Sequence, residues 1–581
     1  MNHRLNLGHD NPCRPRHFRP GRAVNASPEG PAKAALELSH TRLLVAGALF
    51  LLAFAVIAGR LIEVAGFKSG DLRTAHLRQR GPSHVTRADI VDRNGVLLAT
   101  TLDTSSLFAV PKQVPSKGIA AVQLASVLPE TSANELYARL SSDKGFVWLA
   151  RQLSPQQKMA VIQLGIPGLE FQTEGKRVYP KGSLAAHVLG FAGLDNTGLA
   201  GIERGIDGSL KNGDAPVQLS IDVRLQYILK SELARQIADF KALGSTGIIM
   251  DVRSGEVLAL VSLPDFDPNN PGSAKPEDLF DRATLGIYEV GSLFKIFTTA
   301  MALDDGVSTF ASRYDATKPL EVAGYTIHDD DPQKRWLTLP EIFMYSSNIG
   351  EARMAADAGT DRQRDFLDRL GLLRQPGFEL PEVGSPLVPH PWRPINTLTI
   401  AFGHGISVSP LQVASAASAV ANGGILYPAT LLKRPDGSAP QGRRVMSAAT
   451  SLEMRKLLRL VVEQGTGKLA NAPGYLVGGK TGTAEKVENG GYARHALVSS
   501  FLGVFPINDP RYLVLALLDE PHIGAKAGGA TGGLTAAPAV RRIVERMAPL
   551  VGIQPVDENS PEIRRSLVVG LPPQGRTLAA N

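Results

Sequence analysis

Three short stretches carry residue types suited to acyl transfer: Ser292-Leu-Phe-Lys295, Ser346-Ser347-Asn348 and Lys480-Thr481-Gly482-Thr483. A serine hydroxyl is a weak nucleophile until a base takes its proton. A buried lysine can be that base, because desolvation disfavours its ammonium form. Ser292 and Lys295, at i and i+3, share a face if the apolar run Ile296–Leu303 is helical. Ser292 then also sits at a helix N-terminus, where N–H groups and the dipole favour developing negative charge. Ser346 and Asn348 fall where the helical pattern of Leu339–Tyr345 gives way, so a turn there can aim a hydroxyl and an amide into a cleft. Lys480 with the hydroxyls of Thr481 and Thr483 suits a substrate carboxylate, and Gly482 permits close backbone approach.

Each motif alone has a plainer reading as a helix cap, a solvated lysine or an exposed strand end. The chain itself shows the ambiguity. Ser141-Ser-Asp-Lys144, Ser132-Ala-Asn134 and Lys68-Ser-Gly70 repeat the same patterns, but in reverse order and without suitable flanking elements. The other set runs forward, with gaps of 54 and 134 residues.

The elements that must position these groups are legible in outline. Asn94-Gly95 inside an apolar stretch predicts a hairpin. Leu225, Ile228, Leu229, Leu233 and Ile237 have the spacing of one helix face, with Asp222 as its cap. Gly247–Val252 and Glu256–Val261 flank Arg253-Ser254-Gly255 as a second hairpin. Leu497–Phe505 and Tyr512–Leu518 are strand candidates, Val477–Gly479 leads into an edge strand, and Ala536–Leu550 is a helix with Pro538 in its first turn. Strand pairs at both ends of a segment with helices between them predict an α+β domain: an antiparallel sheet with a helical middle over residues 217–555. Residues 68–215 read as a mixed α/β module ahead of it, and residues 557–581 as a flexible polar tail.

Composition narrows the function classes. The 581 residues are 43% hydrophobic and 20% charged, enough for two or three domains with cores. The single cysteine, Cys13, excludes a disulfide framework and any multi-cysteine metal site. The first 42 residues hold seven Lys/Arg against three Asp/Glu, so more than half of the net charge of +7 lies in that arm. The remainder lacks the basic patch of a nucleic-acid-binding body, and no nucleic-acid partner is expected. From Leu43 to Gly59 there are 17 residues without a charge. Extended to residue 62 with Arg60 snorkelling, they predict one transmembrane helix, 43–62. Positive charge before it predicts a disordered cytoplasmic arm, 1–42, and export of the long C-terminal part of the chain.

The ordered trio of motifs is a signature shared by penicillin-binding proteins and some β-lactamases. With Ile90–Ala99, Arg177-Val-Tyr-Pro180, Ala186-His187, Gly201-Ile-Glu203, Ser220-Ile-Asp222, Ser254–Ala259, Phe266-Asp-Pro-Asn269, Ser409-Pro-Leu-Gln412 and Gly465-Thr-Gly467, the chain resembles the class B penicillin-binding proteins over most of residues 80–550. It looks most like their division-specific type, with the elongation-specific type as the alternative. Val290 and Ala88 depart from residues common in the family.

The resemblance implies a penicillin-binding transpeptidase domain on a dimerisation-like pedestal, anchored in the inner membrane with the catalytic domain outside the cytoplasm. It implies D,D-transpeptidation of peptidoglycan stem peptides ending in D-Ala-D-Ala during septal wall synthesis. Ser292 would be the nucleophile and Lys295 its base, and Ser346 would relay a proton to the leaving group, without metal or cofactor. Asn348, Lys480, Thr481, Gly482 and Thr483 would bind substrate, and the N–H groups of Ser292 and Thr483 would form the oxyanion hole. β-Lactams would acylate Ser292, and the expected partners are an FtsW-like membrane glycosyltransferase and other divisome proteins. A β-lactam hydrolase or sensor shares the motifs, and a non-catalytic divisome scaffold could share the fold.

Overall fold

The computed structural model describes residues 47–59, 87–213, 215–488, 491–523 and 529–571. Residues 1–84 and 85–581 are separate compact units. In the first, residues 47–59 form a helix whose residues are all exposed. Thirteen residues span about 20 Å at 1.5 Å each, against a bilayer core of about 30 Å. No described helix is long and apolar enough to cross a membrane. The arm 1–42 and the flanks 43–46 and 60–62 of the expected span lie outside the described residues, as does the start of the pedestal at 68–86.

The second unit begins with β1 (Ile90–Val91), which turns back into β2 (Leu97–Ala109). The expected Asn94-Gly95 turn forms: Gly95 has φ +84°, and Asp92 Oδ1 accepts from the N–H groups of Asn94 (2.7 Å) and Val96 (2.8 Å). β2 then pairs antiparallel with β3 (Val147–Leu153) and β4 (Leu169–Val178). Short helices close over this sheet around Leu107, Leu124, Leu136 and Leu149.

The main sheet is framed by α1 (Val223–Phe240), capped by Asp222, whose Oδ1 accepts from Arg224 N at 2.9 Å. β5 (Gly244–Asp251) and β6 (Val257–Leu263) form the expected hairpin. The helical middle contains α2 (Lys295–Asp304), α3 (Leu339–Tyr345), α4 (Asn348–Ala358), α5 (Pro410–Ala421) and α6 (Ala448–Glu463). β7 (Gly478–Glu488), β8 (Gly491–Phe505) and β9 (Tyr512–Asp519) complete an antiparallel sheet of order β7-β8-β9-β5-β6 before α7 (Ala536–Met547).

Strand alternation sorts the core into two layers. Ile249, Val261, Phe501, Val514 and Ala516 pack with Leu225, Leu229 and Leu233 of α1 and with Val540, Ile543 and Val544 of α7. Ile248, Met250, Leu502, Leu513 and Leu515 face the helical middle. Both faces are covered, so β9 reads as an unbroken apolar run and not as an alternating one. Each fully buried Val, Leu, Ile or Met contributes about 1.5–3 kcal/mol.

The polar tail expected from residue 557 is corrected in its first part. Pro561–Leu567 forms a helix, α8, whose Leu567 is buried. Glu558 accepts from Arg459 Nη2 (2.7 Å) and from Gly474 N (2.6 Å). Leu567 and the half-buried Ile563, one turn apart, are the apolar side chains of α8 that meet the core, too short a pattern to stand out in a polar tail. Residues 572–581 lie outside the described residues.

Candidate active site

The nucleophile candidate stands on a tight turn. Gly291–Phe294 forms one 3-10 turn that runs into α2 at Lys295, which puts Ser292 and Lys295 one turn apart. Gly291 has φ +53°, and a Cβ there would lie 2.2 Å from Thr483 O. Only glycine lets this turn seat against the edge strand β7. The same holds across the contact: a Cβ on Gly482 would lie 2.4 Å from Ser500 Oγ and 2.7 Å from Val290 O.

The second motif is a helix-to-helix corner. α3 ends at Ser346, which has the left-handed φ of +60°. Ser347 then caps α4, its Oγ accepting from Gly350 N at 3.0 Å. Asp329 braces the corner, accepting from Ser347 Oγ (2.8 Å) and Ile349 N (2.9 Å). Ser347 is thereby spent on structure, while Ser346 and Asn348 on either side of it turn toward Lys295.

All three motifs converge on the Ser346 hydroxyl. It receives hydrogen bonds from Lys295 Nζ at 3.0 Å and from Lys480 Nζ at 2.9 Å, and it donates to Ser292 Oγ at 3.1 Å. Lys295 Nζ also donates to Ser346 O (2.5 Å) and Asn348 Oδ1 (2.7 Å), so all three N–H groups of an ammonium have acceptors. Asn348 Nδ2 donates to His328 O at 2.8 Å. Among the described residues no hydrogen bond joins Lys295 directly to Ser292. The base expected beside the nucleophile reaches it through Ser346.

Both lysines are completely buried. Burial pushes Lys295 down to about 8, against the opposing pull of Glu351, Asp330 and Asp329. Lys480 is driven well down by burial and then by the charge of Lys295. Two ammonium groups sharing one hydroxyl acceptor favour the release of a proton.

On β7, Thr481 Oγ1 lies 2.8 Å from Thr466 Oγ1, and Thr483 Oγ1 accepts from Gly532 N at 3.1 Å. The structure therefore brings Ser292, Lys295, Ser346, Asn348, Lys480, Thr481, Gly482 and Thr483 into one region. The competing motifs do other work. Ser132 caps the helix Ala133–Leu140, accepting from Glu135 N at 3.2 Å, and Ser141 is the C-cap of that helix. Lys68–Gly70 lies outside the described residues.

Two residues at the site escape a reading of the sequence. Thr466 lies within Gly465-Thr-Gly467, but nothing there tells that its hydroxyl meets Thr481. Glu351, a fully buried carboxyl on α4, stands one turn after Asn348, and that spacing is its only signal.

A serine on a helix-leading turn, wired through a second hydroxyl to two buried lysines, defines a serine acyl-transfer centre on an α+β sheet. Residues 245–545 match the model of the penicillin binding protein transpeptidase domain, and residues 82–215 that of the penicillin-binding protein dimerisation domain. The chain is 41% identical to a probable peptidoglycan D,D-transpeptidase FtsI of Caulobacter vibrioides, over 81% of this chain and 82% of that one. It is 30% identical to the peptidoglycan D,D-transpeptidase FtsI of Escherichia coli K12, over 87% and 91%. Among solved structures, penicillin binding protein 3 of Mycobacterium tuberculosis, complexed with aztreonam, superposes with TM-score 0.64 at 26% identity, covering 81% of this chain and 97% of that one. The chain belongs to the penicillin-binding protein transpeptidases.

Proposed function

We propose that this chain is a serine D,D-transpeptidase that cross-links peptidoglycan stem peptides in septal wall synthesis. The observation that carries this reading is the continuous chain Ser292–Ser346–Lys295/Lys480. Ser292 Oγ attacks the carbonyl carbon between the two terminal D-alanines, and its proton passes through Ser346 to neutral Lys295. The N–H groups of Ser292 and Thr483 hold the oxyanion. When the C–N bond breaks, the proton returns through Ser346 to the leaving D-alanine amine. An amine of a neighbouring stem peptide then attacks the acyl-Ser292 ester, and its proton restores the Ser292 hydroxyl.

Lys480, Thr481 and Thr483 hold the terminal carboxylate, with Gly482 letting the strand lie close. Asn348 binds the peptide amide. Its Nδ2 already donates to a backbone carbonyl, that of His328, so binding exchanges one carbonyl for another. A β-lactam presents a strained amide to the same serine.

The test is a labelled penicillin with mass-spectrometric mapping of the adduct. It should attach at Ser292, Ser292→Ala should abolish labelling in a folded protein, and Ser141→Ala should leave labelling unchanged. An adduct that survives Ser292→Ala overturns the assignment. Rapid turnover in place of a long-lived adduct favours a β-lactam hydrolase. Depletion separates roles: filamentous cells mean division, rounded cells elongation.

Residues 43–62 act in this reading as the single inner-membrane span, with the arm in the cytoplasm and the catalytic domain outside. A reporter active only outside the cytoplasm should work when fused after Gly70. The span and pedestal associate with an FtsW-like glycosyltransferase, and replacing 43–62 by an unrelated span should end co-purification.

A further inference from the structure

The residues just ahead of the nucleophile carry a polar cluster to which the acyl-transfer steps give no part. Glu289 stands three positions before Ser292, and its side chain is only 9% exposed. It reaches two other segments of the chain. Glu289 Oε1 accepts from Gly405 N at 2.9 Å, and Tyr492 Oη donates to Oε2 at 3.2 Å and to Oε1 at 3.5 Å. His404 Nδ1 lies 3.5 Å from Oε2. The His404 ring stands between those of Phe402 and Tyr492, with centroids 5.3 and 5.4 Å away. A buried carboxyl is costly without such partners, so these contacts hold as a set.

Backbone contacts show that the same segments meet at the catalytic turn. Tyr288 and Val408 exchange two N–H···O bonds, each of 3.0 Å. Gly403 has φ +88°, and a Cβ there would lie 2.0 Å from Gly291 O. On the other side, Gly291 packs against Thr483 O of β7, and Tyr492 of β8 pairs with Val487, four residues further along β7. The nucleophile turn is thus joined to the β7–β8 pair at two points: by backbone packing at Gly291 and Thr483, and by the side-chain bond between Glu289 and Tyr492.

We propose that Glu289 is a positioning residue for the oxyanion hole. It ties the turn that carries the Ser292 N–H to the strand pair that carries the Thr483 N–H, through the Tyr492 hydroxyl, and to the 402–405 segment, through Gly405 N. It touches neither substrate nor the reacting atoms, and the inference rests on the proposed acyl-transfer function. Two N–H groups stabilise an oxyanion only when both aim at one point about 3 Å away. Here they belong to different elements, a 3-10 turn and an edge strand. An edge strand has a neighbour on one side only, so a hydrogen bond across the gap keeps β7 from drifting off the turn. Glu289 bonds to the segments on both sides of that turn and so fixes its tilt as well as its distance.

The experiment is the kinetics of acylation by a fluorescent penicillin over a range of concentrations, using the full chain in detergent. Tyr492→Phe removes the hydroxyl and keeps the ring beside His404; Tyr492 is half-exposed, so the change leaves the core intact. A misplacement of about 1 Å can cost about 100-fold in rate, so a smaller drift should slow the first-order acylation step about three- to tenfold. The concentration giving half-maximal rate should stay within about twofold, because the oxyanion hole engages only as the tetrahedral centre forms. Glu289→Ala should slow the step at least as much, and the double variant no further than Glu289→Ala, because both changes remove one tie. If Glu289→Ala does not fold, Tyr492→Phe alone decides. An unchanged acylation step in Tyr492→Phe overturns the proposal. So does additive slowing in the double variant, because the two groups then act apart. A slowed step with a raised half-maximal concentration and a lowered melting temperature also overturns it, because that is general loosening of the site. Failure of the wild type to acylate at any concentration would instead overturn the underlying transpeptidase reading.

Discussion

Ser346→Ala removes one oxygen and three hydrogen bonds: those from Lys295 and Lys480 and the one to Ser292. Lys295 keeps Ser346 O and Asn348 Oδ1, because a backbone carbonyl survives the change. Among the described residues Lys480 keeps only Thr481 O, at 3.2 Å. A hydrogen bond to a charged group contributes about 1.5–3 kcal/mol, so stability should fall by roughly that amount, with the loss centred on Lys480. The kinetic effect is larger. Ser292 loses its hydrogen-bonded connection to either lysine, and positioned proton transfer contributes about 10²–10⁴-fold. Acylation should therefore slow at least about 100-fold, or about 2.7 kcal/mol of barrier. Ser346→Gly separates the two effects. It loses the same hydroxyl, but glycine accepts the φ of +60° that costs other residues about 1–2 kcal/mol. The glycine variant should match the alanine variant in rate and exceed it in stability. Stopped-flow acylation with a fluorescent penicillin and urea unfolding measure both. Acylation of Ser346→Ala within threefold of wild type would refute the route, because Lys295 would then serve Ser292 directly.

Gly482→Ala should cut acylation at least tenfold and lower the melting temperature, because its methyl meets Val290 O and Ser500 Oγ inside contact distance; near-wild-type labelling would mean the strand can withdraw without harm. Acylation should rise with pH through about 8, since Lys295, held down by burial, is a base only once deprotonated, and a rate independent of pH from 6 to 9 would exclude it from that role. Leu567→Ala, at a buried position of α8, should cost about 2 kcal/mol or more in urea unfolding, whereas a change under 0.5 kcal/mol would mean that α8 contributes nothing.

Sequence is a good guide to this fold where local chemistry and tertiary structure agree. The Asn94-Gly95 turn, the Asp222 cap and the β5–β6 hairpin each follow from a few adjacent residues. Val477–Gly479 leading into an edge strand is of the same kind, because glycine and flanking polarity mark a strand paired on one side. The tail is different, because α8 rests on Leu567 and the half-buried Ile563, and Glu558 ahead of it reaches Arg459, 99 positions back in the chain. A contact of that separation leaves no mark on local composition.

The site divides in the same way. Ser292, Lys295, Ser346, Asn348 and Lys480 were legible because the ordered trio of motifs is a family signature, whereas each motif alone reads as a cap or a solvated lysine. That the chain runs from nucleophile to base through Ser346 was not legible. It depends on the left-handed backbone at Ser346 and on Asp329 holding the corner, and neither residue type announces that geometry. Glu351 was hidden for the opposite reason. A glutamate three residues after an asparagine on a helix is ordinarily a solvated side chain. Only the packing of α2 against α4, with Thr299 donating to it, removes it from water. What a sequence read alone cannot supply here is burial. Burial drives two ordinary lysines down and a glutamate up, and the direction of each shift comes from which form of the group water would have stabilised.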